Sequence, residues 1–225
     1  MSNLLVKSVV SLVALLACMA AFVLVPAWTI DYWQAWAFLA VYGASGAVML
    51  GYLVVRDPKL AERRMSGGPT AETRTSQRII MTIASLGWVS MLVVPGFDHR
   101  LGWSSVPGYL SIAADVLVVI GMAIVLRVFK ENTFTSSTIE VEEDHRVVST
   151  GPYAIVRHPM YSGFLLNVVA MPIALGSWWG LLPLVAVSPV MVWRILDEEG
   201  LLTKGLMGYA EYSQQVTYRL VPHVW

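Results

Sequence analysis

Arg157-His158-Pro159 stands directly before a long apolar run, and Asp197-Glu198-Glu199 closes the apolar stretch that follows. Cations, an imidazole and carboxylates at the two ends of one hydrophobic hairpin could hold a ligand that carries both charges. Acidic oxygens would take its cationic end, and the free N–H groups and positive pole of a helix start would take its anionic end. Proline is favoured at the first helical position, where its missing N–H is harmless, so the spacing predicts a helix beginning at Pro159 with His158 on its edge. Tyr161, three residues past His158, falls on the same side of that helix. Gly163 leaves room for a close neighbour or a ligand. A blander reading stands beside this one: Arg157 and the tyrosines anchor a helix at the headgroup level, and the acidic run is a solvated helix terminus.

The two charged ends meet only if the chain between them crosses a membrane and returns. Composition supports a membrane chain: 56% of the 225 residues are hydrophobic and 13% charged, with a mean hydropathy of +0.64, which is too apolar for an ordinary soluble domain. A spanning helix needs about 20 mostly apolar residues, because lipid offers the backbone no hydrogen-bond partner. Residues 4–25, 34–55, 79–97 and 106–129 each qualify, and residues 162–195 are long enough for a helical hairpin bending at residues 176–180. The expected fold is an all-α polytopic bundle of five to six membrane segments, the last two forming the hairpin, with a cytosolic pocket. Residues 1–105 would hold the N-terminal helices and residues 106–225 the chemistry. The first span is not expected to be a signal peptide, since its apolar run continues through Val25 with no small-x-small site before a polar region. Cys18 lies inside that run, and as the chain's single cysteine it reads as a buried structural thiol.

Basic residues orient the bundle. With both termini cytoplasmic, Lys7, Arg56, Lys59, Arg63, Arg64, Arg74, Arg78, Arg127, Lys130, Arg146, Arg157, Arg194, Lys204 and Arg219 all fall inside, and Arg100 falls outside. In a bacterium the membrane would be the inner one. A formal net charge of +0 and the absence of a basic stripe argue against nucleic acid as a partner. The connection at residues 56–78 reads as a topological loop with short helical pieces. Residues 137–141 and 146–150 resemble two short strands, a hairpin that could cover a pocket. Asp115, an acid inside span four, is a functional suspect by default, although a hydrogen bond to a neighbouring helix explains it more simply. His99 and His145 lack companions at metal spacing, so no metal site is expected.

The C-terminal half resembles the isoprenylcysteine carboxyl methyltransferase and phospholipid methyltransferase superfamily. The resemblance rests on Asn132 after residues 127–130, the block Gly-Pro-Tyr-x-x-Val-Arg-His-Pro-x-Tyr-x-Gly at 151–163, Glu198-Glu199, Gly208-Tyr209-x-Glu211-Tyr212, and Tyr218-Arg219-Leu220-Val221-Pro222. It implies an integral membrane enzyme that binds S-adenosylmethionine from the cytosol and methylates a lipid or other hydrophobic acceptor. Tyr153, Arg157, His158, Pro159, Tyr161, Gly163, Glu198 and Glu199 would contact the cofactor. His158, Arg219 and Asn132 are the catalytic candidates. Arg219 could instead be a surface anchor, and Tyr209 and Tyr212 fit either a pocket wall or an interfacial helix. A nicotinamide-dependent membrane reductase and a transporter are the competing classes. Few spans weigh against the first, and the lack of paired halves with broken helices weighs against the second.

Overall fold

The computed structural model describes residues 2–65, 72, 74–133 and 146–225. Among them the ordered elements are all helical, without a strand. The α-helices are α1 (Ser2–Ala27), α2 (Trp33–Arg56), α3 (Pro58–Met65), α4 (Thr75–Leu101), α5 (Gly108–Glu131), α6 (Pro159–Ala174), α7 (Leu182–Gly205) and α8 (Tyr209–Gln215), with short 3-10 turns at Gly151–Ala154 and Trp179–Leu181. Five helical segments, those holding α1, α2, α4, α5 and α7, are long and apolar enough to cross a membrane, whereas α6 has only 16 residues. Outward-facing side chains such as Val6, Val10, Val13, Ile112 and Val116 are apolar, as hydrocarbon solvent requires. Cys18 is exposed among them. The expectation of a buried thiol is therefore corrected: a cysteine matches lipid as well as it matches a core.

The centre of the bundle is a cluster of fully packed side chains, including Met19, Val23, Phe38, Leu92, Met171 and Leu175. At one end of the molecule the buried Asp98, near the end of α4, accepts hydrogen bonds from the Ser104 amide (2.7 Å), the Ser104 hydroxyl (2.6 Å) and the Ser177 hydroxyl. This ties the α4–α5 and α6–α7 connections together. Beside it, the Tyr32 hydroxyl donates to the Leu175 carbonyl and its ring stacks on His99.

The α5–α6 pairing sets the depth of everything that follows. Gly121 and Gly163 meet backbone to backbone: a Cβ on either would stand 2.8 Å from the other's carbonyl oxygen. Small residues at such a crossing let membrane helices approach closely. Ten residues further along each helix, the Ser111 hydroxyl donates to the Ile173 carbonyl at 3.1 Å, so the antiparallel register is constant. The same register sets Pro159 opposite Val125, six residues or about 9 Å short of the end of α5 at Glu131. The start of α6 is thus sunk below the end of its neighbour, while its other end reaches the Asp98 layer.

The atoms facing Gly163 are the Gly121 carbonyl oxygen and methyl groups of Val125 and Ile124 on α5, and a backbone oxygen beside two short β-branched side chains has little freedom to give way. Gly163→Ala is expected to destabilise the protein by about 1–3 kcal/mol in detergent unfolding. Gly51→Ala, where no atom lies within 4 Å of an added Cβ, should be neutral or mildly stabilising. Equal midpoints for the two variants would contradict the close crossing.

Two further expectations change. Residues 146–149 run as irregular chain rather than a strand, with Val147 packed on Leu206, Tyr209 and Tyr212 of the C-terminal region; side-chain packing onto this region takes the place of strand pairing there. The companion strand at residues 137–141 lies outside the described residues. Asp115 is buried, yet its Oδ1 has no hydrogen-bond partner among the described residues, where the expected bond to a neighbouring helix is not found.

Candidate active site

The helix at Pro159 begins where its sequence predicts, with Pro159 at the first helical position and His158 as its cap residue. The chain after α8 straps this start in place. Arg157 N–H donates to the Tyr218 carbonyl and His158 N–H to the Arg219 carbonyl, both at 2.9 Å, and the Ser162 hydroxyl donates to the Leu220 carbonyl at 2.6 Å. The amides of Arg157 and His158 are consequently spent on the tail and do not face a ligand.

Helix α7 returns to the same level and brings its acids against this start. Glu199 Oε1 lies 3.2 Å from His158 Nε2 and 3.2 Å from Arg157 Nε, while its Oε2 accepts from Arg219 Nε at 2.9 Å. A carboxylate only accepts, so the imidazole presents its Nε2 hydrogen to Glu199. His158 and Glu199 are both buried, and a buried acid is tolerated because its charge is matched on every side. Successive residues on a helix point about 100° apart, and Glu198 accordingly faces elsewhere. Its Oε2 accepts the Tyr161 hydroxyl at 2.7 Å.

A second layer backs Tyr161. Arg194 Nε donates to the Tyr161 oxygen at 3.0 Å, and Arg194 Nη1 reaches Glu72 Oε1 at 3.1 Å and Gln77 Oε1 at 2.6 Å. Asp197 pairs with Arg74 at 2.8 Å and accepts from the Gln77 amide. Glu72 and Arg74, in the connection between α3 and α4 that reads as topological, therefore grip α7 at Arg194 and Asp197, beside the acidic pair.

These groups border one cavity of about 770 Å³. Its polar end is lined by Asn132, Tyr153, His158, Tyr161, Glu198 and Tyr209, and its apolar end by Phe38, Trp88, Met91, Met171, Leu184 and Val187. From Glu198 to Leu184 the cavity follows α7 for about 21 Å, more than half of a bilayer's hydrocarbon thickness. At the polar end the Asn132 amide donates to the Tyr153 oxygen at 3.1 Å, which leaves the phenolic hydrogen available. Burial pushes the Tyr153 phenol up to about 12, with the Glu198 charge adding to the rise and the Asn132 bond opposing it. Burial likewise raises Tyr209 and Tyr212. All three stay neutral donors at physiological pH.

Of the residues singled out in the sequence, Asn132, Tyr153, Arg157, His158, Pro159, Tyr161 and Glu198 line the cavity. Glu199 and Arg219 stand behind it as an ion pair, and Gly163 faces α5. Sequence reasoning overlooked Glu72, Gln77 and the Arg194 contact, and it placed Arg64 only as a topological charge. Arg64 also lines the cavity, its guanidinium 4.9 Å from the Phe129 ring centroid. The available signal was the spacing of Arg194 four residues before Glu198, which puts them on one face of α7.

Residues 109–208 match the family described as phospholipid methyltransferase. Over 85 residues the chain is 39% identical to protein-S-isoprenylcysteine O-methyltransferase B of Arabidopsis thaliana, covering 35% of this chain and 41% of that protein. It is 31% identical over 118 residues to a probable protein-S-isoprenylcysteine O-methyltransferase of Oryza sativa subsp. indica, covering 48% of this chain and 59% of that protein. The chain thus spans about half the length of the relatives it matches. Members of the family are S-adenosylmethionine-dependent methyltransferases.

Proposed function

We propose that this chain, whose residues 109–208 match the phospholipid methyltransferase family, is an integral membrane methyltransferase that uses S-adenosylmethionine and a lipid-soluble acceptor. The observation that carries this reading is the single cavity joining a pocket of tyrosines and one facing carboxylate to an apolar arm at membrane depth. The residues present suit the cofactor. Glu198 offers a carboxylate for its ammonium. The Tyr209 hydroxyl, buried on the cavity wall without a hydrogen-bond partner among the described residues, offers an unspent donor, and a buried group left in that state is costly unless a ligand satisfies it. His158 and Tyr153 line the same end.

When bound, S-adenosylmethionine supplies a methyl group on a cationic sulfur that leaves as a neutral thioether, so a carboxylate acceptor needs no base. The protein's own part is to align and to exclude water. Glu199, Arg157 and the tail strap fix His158, whose ring lines the polar end of the cavity. Arg219 acts through Glu199 and is a positioning residue. Asn132 orients the Tyr153 hydroxyl toward the cavity. We take the acceptor's nucleophile to be a carboxylate: the relatives are named as O-methyltransferases, and Arg64 and Arg146 also line the cavity. The catalytic core is taken as residues 106–225, walled in addition by α2, α3 and α4. The distribution of lysines and arginines supports the reading that this end of the bundle faces the cytosol.

Purified protein in detergent is expected to bind S-adenosylmethionine saturably and a nicotinamide dinucleotide not at all. The reverse result would establish the reductase reading, and binding of neither would remove the enzyme. Membranes supplied with methyl-labelled cofactor should carry label in the lipid extract that mild base releases as methanol, the behaviour of an ester. Base-stable label would move the acceptor to an amine or thiol.

A further inference from the structure

We propose that Glu72 is a positioning residue for recognition of the cofactor's ammonium group, acting through Arg194 and Tyr161 on Glu198; this rests on the function proposed above. Glu72 lies between α3 and α4, outside the residues that match the family, and far in sequence from the cavity's acid. It is 3% exposed. A carboxylate that deep is sustained only by a partner, and Arg194 supplies it at 3.1 Å.

Consider where Arg194 would otherwise go. It precedes Glu198 by four residues on α7, the spacing at which side chains of opposite charge pair along one helix face. A guanidinium resting on Glu198 would cancel the negative charge that a ligand ammonium needs. The structure routes it differently. Nη1 is drawn to Glu72 and to Gln77, itself fixed by Asp197, and Nε donates to the Tyr161 oxygen. Tyr161 therefore accepts from Arg194 and sends its own hydrogen to Glu198. A neutral phenol stands between cation and acid, so Glu198 is held in one orientation while its charge remains available to the cavity. Glu199 next to it is the contrast, with both oxygens met by Arg or His.

The test compares two probes on the full chain in detergent. S-adenosylhomocysteine carries the ammonium; 5′-methylthioadenosine has the same nucleoside and a thioether but lacks the amino-acid end. Glu72→Gln removes the charge that draws the guanidinium away from Glu198 and is expected to weaken S-adenosylhomocysteine by about tenfold, the scale of one charge-assisted hydrogen bond, while 5′-methylthioadenosine changes by no more than about twofold. Glu72→Asp, which keeps the charge but withdraws it by one methylene, should give a smaller loss with the same selectivity. It serves as the measurement if Glu72→Gln does not fold. Equal losses for the two probes would mean that Glu72 only holds the fold, and unchanged affinity for both would mean that it does not restrain Arg194; either overturns the proposal while leaving the methyltransferase reading intact. Failure of both probes to bind the unaltered protein overturns that reading and this proposal with it.

Discussion

Glu199→Gln is expected to destabilise the protein by about 3 kcal/mol in detergent unfolding, the lower end of what removing one partner of a buried ion pair costs. The lower end applies because Arg219 is partly exposed, its side chain retaining 28% of its accessible surface. Three groups lean on this one carboxylate: His158 and Arg157 on one oxygen, Arg219 on the other. An amide at this position keeps the shape but leaves the Arg157 and Arg219 charges uncompensated beside a buried imidazole. The tail strap, which meets the start of α6 through Arg157 and His158, should loosen with it. Cofactor affinity is then lost as a consequence of the disturbed fold. A stability change below about 1 kcal/mol, typical of an exposed ion pair, would show that water already screens these charges.

Glu198→Gln, one residue earlier, should behave in the opposite way. Tyr161 can donate to an amide oxygen as well as to a carboxylate, so the unfolding midpoint is expected to stay within experimental error. Affinity for S-adenosylhomocysteine should fall by about 10- to 100-fold, since a hydrogen bond to a charged group contributes about 1.5–3 kcal/mol. Unchanged binding in a stable Glu198→Gln protein would place the ammonium elsewhere in the cavity. The pair of variants thus separates an acid that holds the protein from an acid that meets the ligand.

Those two glutamates are indistinguishable as letters, and their separation marks where the sequence stops being readable. The long apolar runs translate directly into α1, α2, α4, α5 and α7, because a backbone in hydrocarbon must satisfy itself over a fixed length. Pro159 announces its own helix start for an equally local reason. The block at 151–163 and the acids at 198–199 converge because a hairpin joins them, which the apolar stretch between makes legible. What depends on rotation about a helix axis is not written locally. Glu198 turns to the cavity and Glu199 to the arginines only because of how α7 is set against α6. Gly163 reads as room for a close neighbour or a ligand, and the neighbour it meets, Gly121, belongs to a separate span that the motif does not name. Glu72 and Arg194 were hidden for the same reason: the spacing along each segment does not reveal that a charge between α3 and α4 meets one on α7. Residues 146–149 have strand-like composition, but β-propensity reflects fit to a pleated neighbour, and their observed neighbours are the side chains of a helix and its flanks.

The sunken start of α6 has one further effect. With His158 and Glu198 held below the end of α5, a reactive headgroup would have to sit at a matching level while its hydrocarbon remains in the arm. That level is fixed by the thickness of the surrounding lipid, which varies by a few ångströms between membranes. On the proposed reading, the host bilayer is part of the reaction geometry: a thicker membrane lifts the nucleophile away from the methyl donor and a thinner one presses it closer, so turnover becomes a gauge of the membrane in which the protein resides.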